Sequence, residues 1–254
     1  MNYNNIEKVE VLTTNAILRD LQKVDANTSA DQFGKLIKDI SALLISRNTV
    51  TGSRNDILLL INDISELLYP LLEDKYIQFR TEAIICDREV IPFIFITSPE
   101  EKVVVINIAE RMYERSTRPP IEIEVPILHA HIDTTKLIEP YASLTTFIDN
   151  KETFLDSLLL GRGVIDMKSQ IAVLVIATYL FHSLNKKPPM IILTCDEEEG
   201  SQISGDMMNQ MFPRKEVYDL EPSLPDHVTN EIWPSSFLSF TLGSRRLHAV
   251  NKYL

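Results

Sequence analysis

Leu158-Leu159-Leu160-Gly161-Arg162-Gly163-Val164-Ile165-Asp166-Met167-Lys168 is the stretch whose reading decides the fold. An apolar run reaches a Gly-x-Gly turn, the turn presents one aspartate, and a long apolar segment, residues 168–184, follows at once. Strand, glycine turn and helix in that order are how an α/β protein aims a carboxylate at a site on the edge of its sheet. Residues 168–184 are apolar around nearly their whole circumference, which predicts a helix buried between a sheet and a covering layer. Residues 190–195 then form a continuous apolar run, of the kind parallel sheets bury on both faces. Together these segments predict an α/β fold, a layered sheet with helices on both faces.

Outward from that stretch, residues 30–46 carry Phe33, Leu36, Ile37, Ile40, Leu43 and Leu44 at spacings of three and four, an amphipathic helix starting at Ser29 or Asp31. Residues 47–53 read as a loop. A second helix is predicted from about Asn55 to about Pro70, with Ile57, Leu60, Ile61, Ile64, Leu67 and Leu68 on one face. Neither helix offers a convergent set of reactive groups, so both read as scaffold. Shorter β-type runs follow at residues 83–86, 91–97, 103–108 and 121–131. After Pro222 the composition changes: Pro225, Pro234 and Ser235-Ser236 precede a β-like run at 237–242. Residues 1–225 are therefore expected to form one unit and 226–254 the beginning of another. No internal repeat or low-complexity segment is present.

The 254 residues suffice for a full core, and 44% hydrophobic with 24% charged residues is ordinary for a globular protein. The 25 basic against 36 acidic side chains leave a formal charge of −11, which repels phosphate backbones and anionic lipid surfaces and argues against nucleic acid and membranes as partners. Cys86 and Cys195 both lie in apolar runs and read as buried thiols, not as a disulfide or a thiolate metal site. The first eight residues show no basic start followed by an apolar core, and no uncharged apolar run reaches the roughly 18 residues of a membrane span. The expectation is a cytoplasmic protein.

Three clusters carry groups that bind metals. In a strand through His129, His131 and Asp133, alternation puts all three on one side, where a carboxylate can hold one ring nitrogen of an imidazole whose other nitrogen binds an ion. Taken alone, His-x-Asp is common by chance. Asp166 follows the glycine turn at a helix start, and taken alone it reads as a helix cap. Four consecutive acids, Asp196 to Glu199, follow an apolar strand; a solvated acidic turn is the plain alternative, yet like charges so clustered cost free energy unless a cation offsets them. Nitrogen and carboxylate donors without thiolate suit zinc, manganese or cobalt in a hydrolytic site. Gly161–Gly163 as a phosphate cradle is disfavoured, because the third glycine of a dinucleotide turn and the Gly-Lys-Ser/Thr of a P-loop are both missing.

In order and separation these clusters resemble the dizinc aminoacylase and carboxypeptidase family of metallopeptidases, which includes acetylornithine deacetylase and succinyl-diaminopimelate desuccinylase. His131-Ile132-Asp133 is similar to the family's Gly-His-x-Asp strand end, the glycine turn to Gly-Arg-Gly-x-x-Asp-Met-Lys, Asp196-Glu197-Glu198-Glu199-Gly200 to Asp-Glu-Glu-x-Gly, and Glu221-Pro222-Ser223 to the Glu-Pro-Thr that follows. The loop 48–55 and its helix resemble the family's N-terminal start. The resemblance spans most of residues 40–223. It implies a zinc-peptidase-like catalytic domain followed by the start of an α+β lid, and two divalent ions, zinc first with cobalt or manganese as alternatives.

By the same resemblance, His131 binds one ion and Asp133 orients it, Asp166 bridges the two ions, Glu198 binds one and Glu221 completes the set of its partner. Glu197 is then the general base, and His248 resembles the lid histidine that polarises a substrate carbonyl across a homodimer, with a spacing one residue longer than usual. The implied substrate is an N-acyl amino acid or a small peptide. Relatives continue further, to a late histidine ligand, and neither His227 nor His248 is equivalent to it. Ser169-Gln170 stand where Gly-Gly is usual, and Ala130 where Gly is usual. The alternative is a fragment or binding protein that keeps the fold without turnover.

Overall fold

The computed structural model describes residues 13–50, 52–86, 89–101, 125–134, 146–149, 157–160, 167–199, 208 and 217–220. Three helices come first. α1 (Thr14–Leu21), which the sequence reading did not anticipate, buries Ile17 and Leu21 against α2 and α3. α2 (Ala30–Ile45) starts at Ser29 with a reciprocal cap: Ser29 Oγ accepts the Gln32 N–H, and Gln32 Oε1 accepts the Ser29 N–H at 2.8 Å.

α3 (Arg54–Glu73) runs past Pro70, where the sequence had it end. Proline removes one hydrogen bond, but Leu67, Leu68 and Leu71 all lie in the core; burying a leucine is worth about 1.5–3 kcal/mol, enough to carry the helix through its last turn.

β1 (Gln78–Cys86) and β2 (Glu89–Thr97) pair antiparallel along their whole lengths, from Gln78 opposite Thr97 to Cys86 opposite Glu89. Pro92 is tolerated in β2 because the strand on its other side, β6 (Met190–Thr194), pairs only with Ile94, Phe95 and Ile96. β3 (Ile127–His131) lies parallel to β6, with His131 opposite Thr194, and β7 (Val217–Asp219) lies parallel to β3, with Asp219 opposite His129. The sheet order is β1-β2-β6-β3-β7. The apolar run at 190–195 is thus buried as expected, in a mixed sheet whose parallel half is β6, β3 and β7.

One expectation needs correcting. The run 158–160 does not join this sheet: β5 (Ser157–Leu160) pairs antiparallel with β4 (Thr146–Asp149) in a separate two-stranded sheet. Both edges of β3 are already taken, by β6 and β7, and an antiparallel partner close in the chain needs only a short connection. Residues 103–108, 121–124 and 226–254 lie outside the described residues, as does the expected boundary between residues 225 and 226.

α4 (Ser169–Ser183) has ten of its fifteen residues buried and packs on α2 and α3, so the four helices form one connected layer. Its apolar side chains share one core with Phe93 to Ile96 of β2, Ile127, Leu128 and Ala130 of β3, and Met190 to Leu193 of β6. The chain is therefore the layered α/β protein that its sequence indicates. Among the described residues, no helix is long and apolar enough to cross a membrane.

Between α2 and α3 the loop turns at Gly52, whose φ of +85° lies in the left-handed region, and the Ser53 N–H donates to Val50 O at 2.7 Å. No atom lies within 4 Å of a Cβ built there, so only backbone strain opposes a side chain. Gly52→Ala is expected to lower the free energy of unfolding by about 1–2 kcal/mol in urea titrations. Two tyrosines tie distant segments together: Tyr76 Oη, after α3, donates to Lys186 O, before β6, and Tyr179 Oη of α4 donates to Leu67 O of α3, both at 2.7 Å. Burial pushes the Tyr76 phenol up to about 12 and raises Tyr179 as well. An acid whose pKa is raised by folding ionises first in the unfolded chain, so its contribution is intact below about pH 10 and falls as pH rises toward 12. Alkaline unfolding should accordingly steepen over that window, and Tyr76→Phe should make the slope of stability against pH shallower.

Candidate active site

β3 and β6 are adjacent and parallel, so the segments that leave their C-terminal ends emerge side by side, where open α/β sheets hold their ligands. From β3 come His131, Ile132 and Asp133; from β6 come Cys195, Asp196 and the single 3-10 turn Glu197–Glu199. Ile132 N–H donates to Thr194 O at 2.9 Å, which extends the pairing one residue past β3 and locks the two exits together.

Asp133 connects them. Its side chain is fully buried, its Oδ1 accepts the Glu197 N–H at 3.3 Å, and its Oδ2 accepts the Glu198 N–H at 3.2 Å. His131, also fully buried, has Nδ1 at 3.3 Å from Asp133 Oδ1 and at 3.1 Å from the Asp133 carbonyl oxygen. The expected carboxylate-to-imidazole contact is present, and Ile132, between the two residues, keeps the β3-to-β6 pairing through its N–H.

With its hydrogen on Nδ1 donated to Asp133, His131 presents the lone pair of Nε2 to Glu197, whose Oε2 lies 3.7 Å away. Two acceptors then face each other across a gap longer than a hydrogen bond, an arrangement that a proton or a cation between them stabilises. The local charge points the same way. Asp133 and Asp196 are buried, Glu197 and Glu198 are half-buried, and all four cluster at the same strand ends. Cys195, buried beside them, stays a thiol: desolvation pushes its pKa up, and the Asp133 and Asp196 carboxylates add to the rise.

His129 lies two residues before His131 in β3; its Nε2 is 2.9 Å from Thr194 Oγ1, so it ties β3 to β6. Of the predicted site residues, the structure brings together His131, Asp133, Glu197 and Glu198, while Asp166, Glu221 and His248 lie outside the described residues. Among the described residues, no group of three or more His, Cys, Asp or Glu side chains is arranged to hold a metal ion.

Sequence reasoning passed over the loop 47–50, where the resemblance to an N-terminal family segment was the available signal. Thr49 Oγ1 donates to Ile132 O at 2.6 Å, the Thr134 N–H donates to Thr49 O at 2.8 Å, and Val50 forms a parallel bridge with Thr134. Met167 and Lys168 were read only as part of a motif. Met167 Sδ accepts the His131 N–H at 3.1 Å, and the buried Lys168 Nζ donates to Arg47 O at 2.8 Å. Ser169 and Gln170, in place of two glycines, are accommodated as the buried first residues of α4, with Ser169 Oγ donating to Gln170 Oε1 at 2.8 Å.

No protein-family model and no curated protein sequence matches the chain. Among solved structures it is similar to human carnosine dipeptidase 1, at TM-score 0.47 and 15% identity over 82% of this chain and 41% of that one. It is also similar to the di-peptidase Dug1p of Saccharomyces cerevisiae, at 0.43 and 11% over 78% and 38%. A tripeptidase of Staphylococcus aureus aligns at 0.41 and 14% over 75% and 44%. The chain spans less than half the length of each of these structures.

Asp133→Asn keeps the shape of the side chain but replaces one acceptor oxygen with a donor, so one of the three N–H groups around it loses its partner. An unpaired buried donor costs about 1–3 kcal/mol. The variant is expected to lose that much stability and to show faster amide exchange at Glu197 and Glu198 by NMR; unchanged protection at both would mean that the carboxylate does not hold the turn.

Proposed function

We propose that this chain is the catalytic portion of a metal-dependent hydrolase that cleaves an amide bond in a small peptide or an N-acyl amino acid. The observation that carries the reading is the triad at the ends of β3 and β6: Asp133 holds Nδ1 of His131, and Nε2 of the same ring faces the Glu197 carboxylate. The donors fit a divalent cation. They are nitrogen and carboxylate oxygen, and the acidic cluster gains from positive charge at its centre.

The proposed ligands of two ions, zinc first, are His131, Asp166, Glu198 and Glu221. Asp166 and Glu221 lie outside the described residues; their chain neighbours Met167 and Leu220 contact β3, Met167 Sδ accepting the His131 N–H and the Leu220 N–H donating to His129 O, both at 3.1 Å.

The ions, when bound, would supply Lewis acidity that activates a water and polarises the scissile carbonyl. The chain's own part is positional and protolytic. Asp133 keeps the ring of His131 in one tautomer and orientation. Glu197, half-buried and hinged on the turn that Asp133 fixes, takes the proton of the attacking water and delivers it to the leaving amine. His248 is proposed to polarise the carbonyl from the lid of a second copy.

Elemental analysis and turnover of dipeptides and N-acyl amino acids with added zinc or cobalt test the reading. About two ions per chain and hydrolysis that falls 100-fold or more in Glu197→Ala are expected, since a general base contributes roughly that much. Equal turnover by wild type and Glu197→Ala would rule out the mechanism; a folded wild type that takes up no metal would rule out the class.

A further inference from the structure

The loop 47–50, from the helical half of the chain, touches the candidate site in two places. Thr49 is fully buried. Its hydroxyl donates to Ile132 O at 2.6 Å, and its own carbonyl accepts the Thr134 N–H at 2.8 Å. Ile132 is the residue between His131 and Asp133, and its N–H is held from the opposite side by Thr194 O. Both peptide units of Ile132 are therefore held, the one before it by β6 through its N–H and the one that leads into Asp133 by Thr49 through its carbonyl.

Two residues earlier, Arg47 O accepts Lys168 Nζ at 2.8 Å, beside Met167 and its contact with His131 N–H. The Arg47 side chain is itself anchored, Nε and Nη2 both donating to Asp63 at 2.7 and 3.0 Å, and Asp63 lies in α3 with only 5% of its surface exposed. One four-residue loop thus fastens the His131–Asp133 segment and the start of α4 to the helix layer.

We infer that Thr49 is a positioning residue of the site: its hydroxyl, through the Ile132 carbonyl, holds Asp133 at the angle from which it orients His131. The inference rests on the metal-site reading above and adds to it a control point far away in sequence. A neutral hydroxyl is suited to the task, because it donates to a carbonyl without bringing further charge to four clustered carboxylates. Partners of this kind around a ligand histidine change metal affinity about 10- to 100-fold when removed.

The test compares Thr49→Val, which keeps the shape and removes the donor, with Thr49→Ser, which keeps the donor. Zinc affinity is measured by competition with a chromophoric chelator, and the visible spectrum is recorded with cobalt bound. Thr49→Val is expected to bind zinc at least tenfold more weakly and to alter the cobalt spectrum, with Thr49→Ser restoring both to near wild type. Leu36→Ala, in the helix layer, should lower stability while leaving zinc affinity and spectrum unchanged, which separates positioning from stability. If Thr49→Val does not fold, Thr49→Ala takes its place in the same comparison. Wild-type affinity and spectrum in the variant that lacks the hydroxyl would overturn the role of Thr49 and leave the metal site standing, whereas a wild type that binds neither metal would overturn both.

Discussion

A carboxylate buried without partners is among the costliest groups a fold can contain, and Asp133 is fully buried. Three N–H groups surround it. Two are the main-chain amides of Glu197 and Glu198, and the third is the His131 imidazole. The exits of β3 and β6 must therefore stay in register, because the amides come from one strand end and the carboxylate from the other. The parallel pairing of His131 with Thr194 and the Ile132-to-Thr194 bond supply that register. The rest of the site depends on this one satisfied charge, since without it neither the ring of His131 nor the acidic turn has a fixed orientation.

The same interaction concentrates negative charge. Asp133 and Asp196 are buried and Glu197 and Glu198 half-buried, within a few residues of one imidazole. Main-chain amides of Glu197 and Glu198 meet the Asp133 carboxylate, and the divalent cation proposed for the site would offset repulsion among the acids. In the proposed hydrolase the same cluster would supply the carboxylate that carries a proton.

The helix layer has a second role beyond covering the sheet. Arg47 is locked to Asp63 in α3, its carbonyl receives Lys168 at the start of α4, and Thr49 reaches the carbonyl of Ile132, between His131 and Asp133. Packing of α2, α3 and α4 is thereby transmitted to the site through main-chain carbonyls and amides. Such bonds are short and directional, and they do not depend on which side chains line a substrate pocket.

Periodicity alone made the long elements legible. The three- and four-residue spacing in α2 and α3, the all-round apolar surface of α4 and the apolar run of β6 each reflect burial, and burial is written in residue type. The sequence also singled out His131, Asp133, Glu197 and Glu198, which the structure brings together at the ends of β3 and β6. Which strands pair was not legible. β5 left the main sheet because β3 had both edges occupied, and α3 continued through Pro70 because Leu71 had a core to enter; both outcomes depend on neighbours distant in the chain. The part played by Thr49 was equally hidden, since a threonine in a loop acquires its meaning only from the carbonyl it meets, 83 residues further along. Residue types and their spacing thus settled what is buried and which polar groups gather at the strand ends, whereas pairing, register and the loop that grips the site were decided by tertiary contacts, because hydrogen bonds between distant segments leave no periodic trace in the sequence.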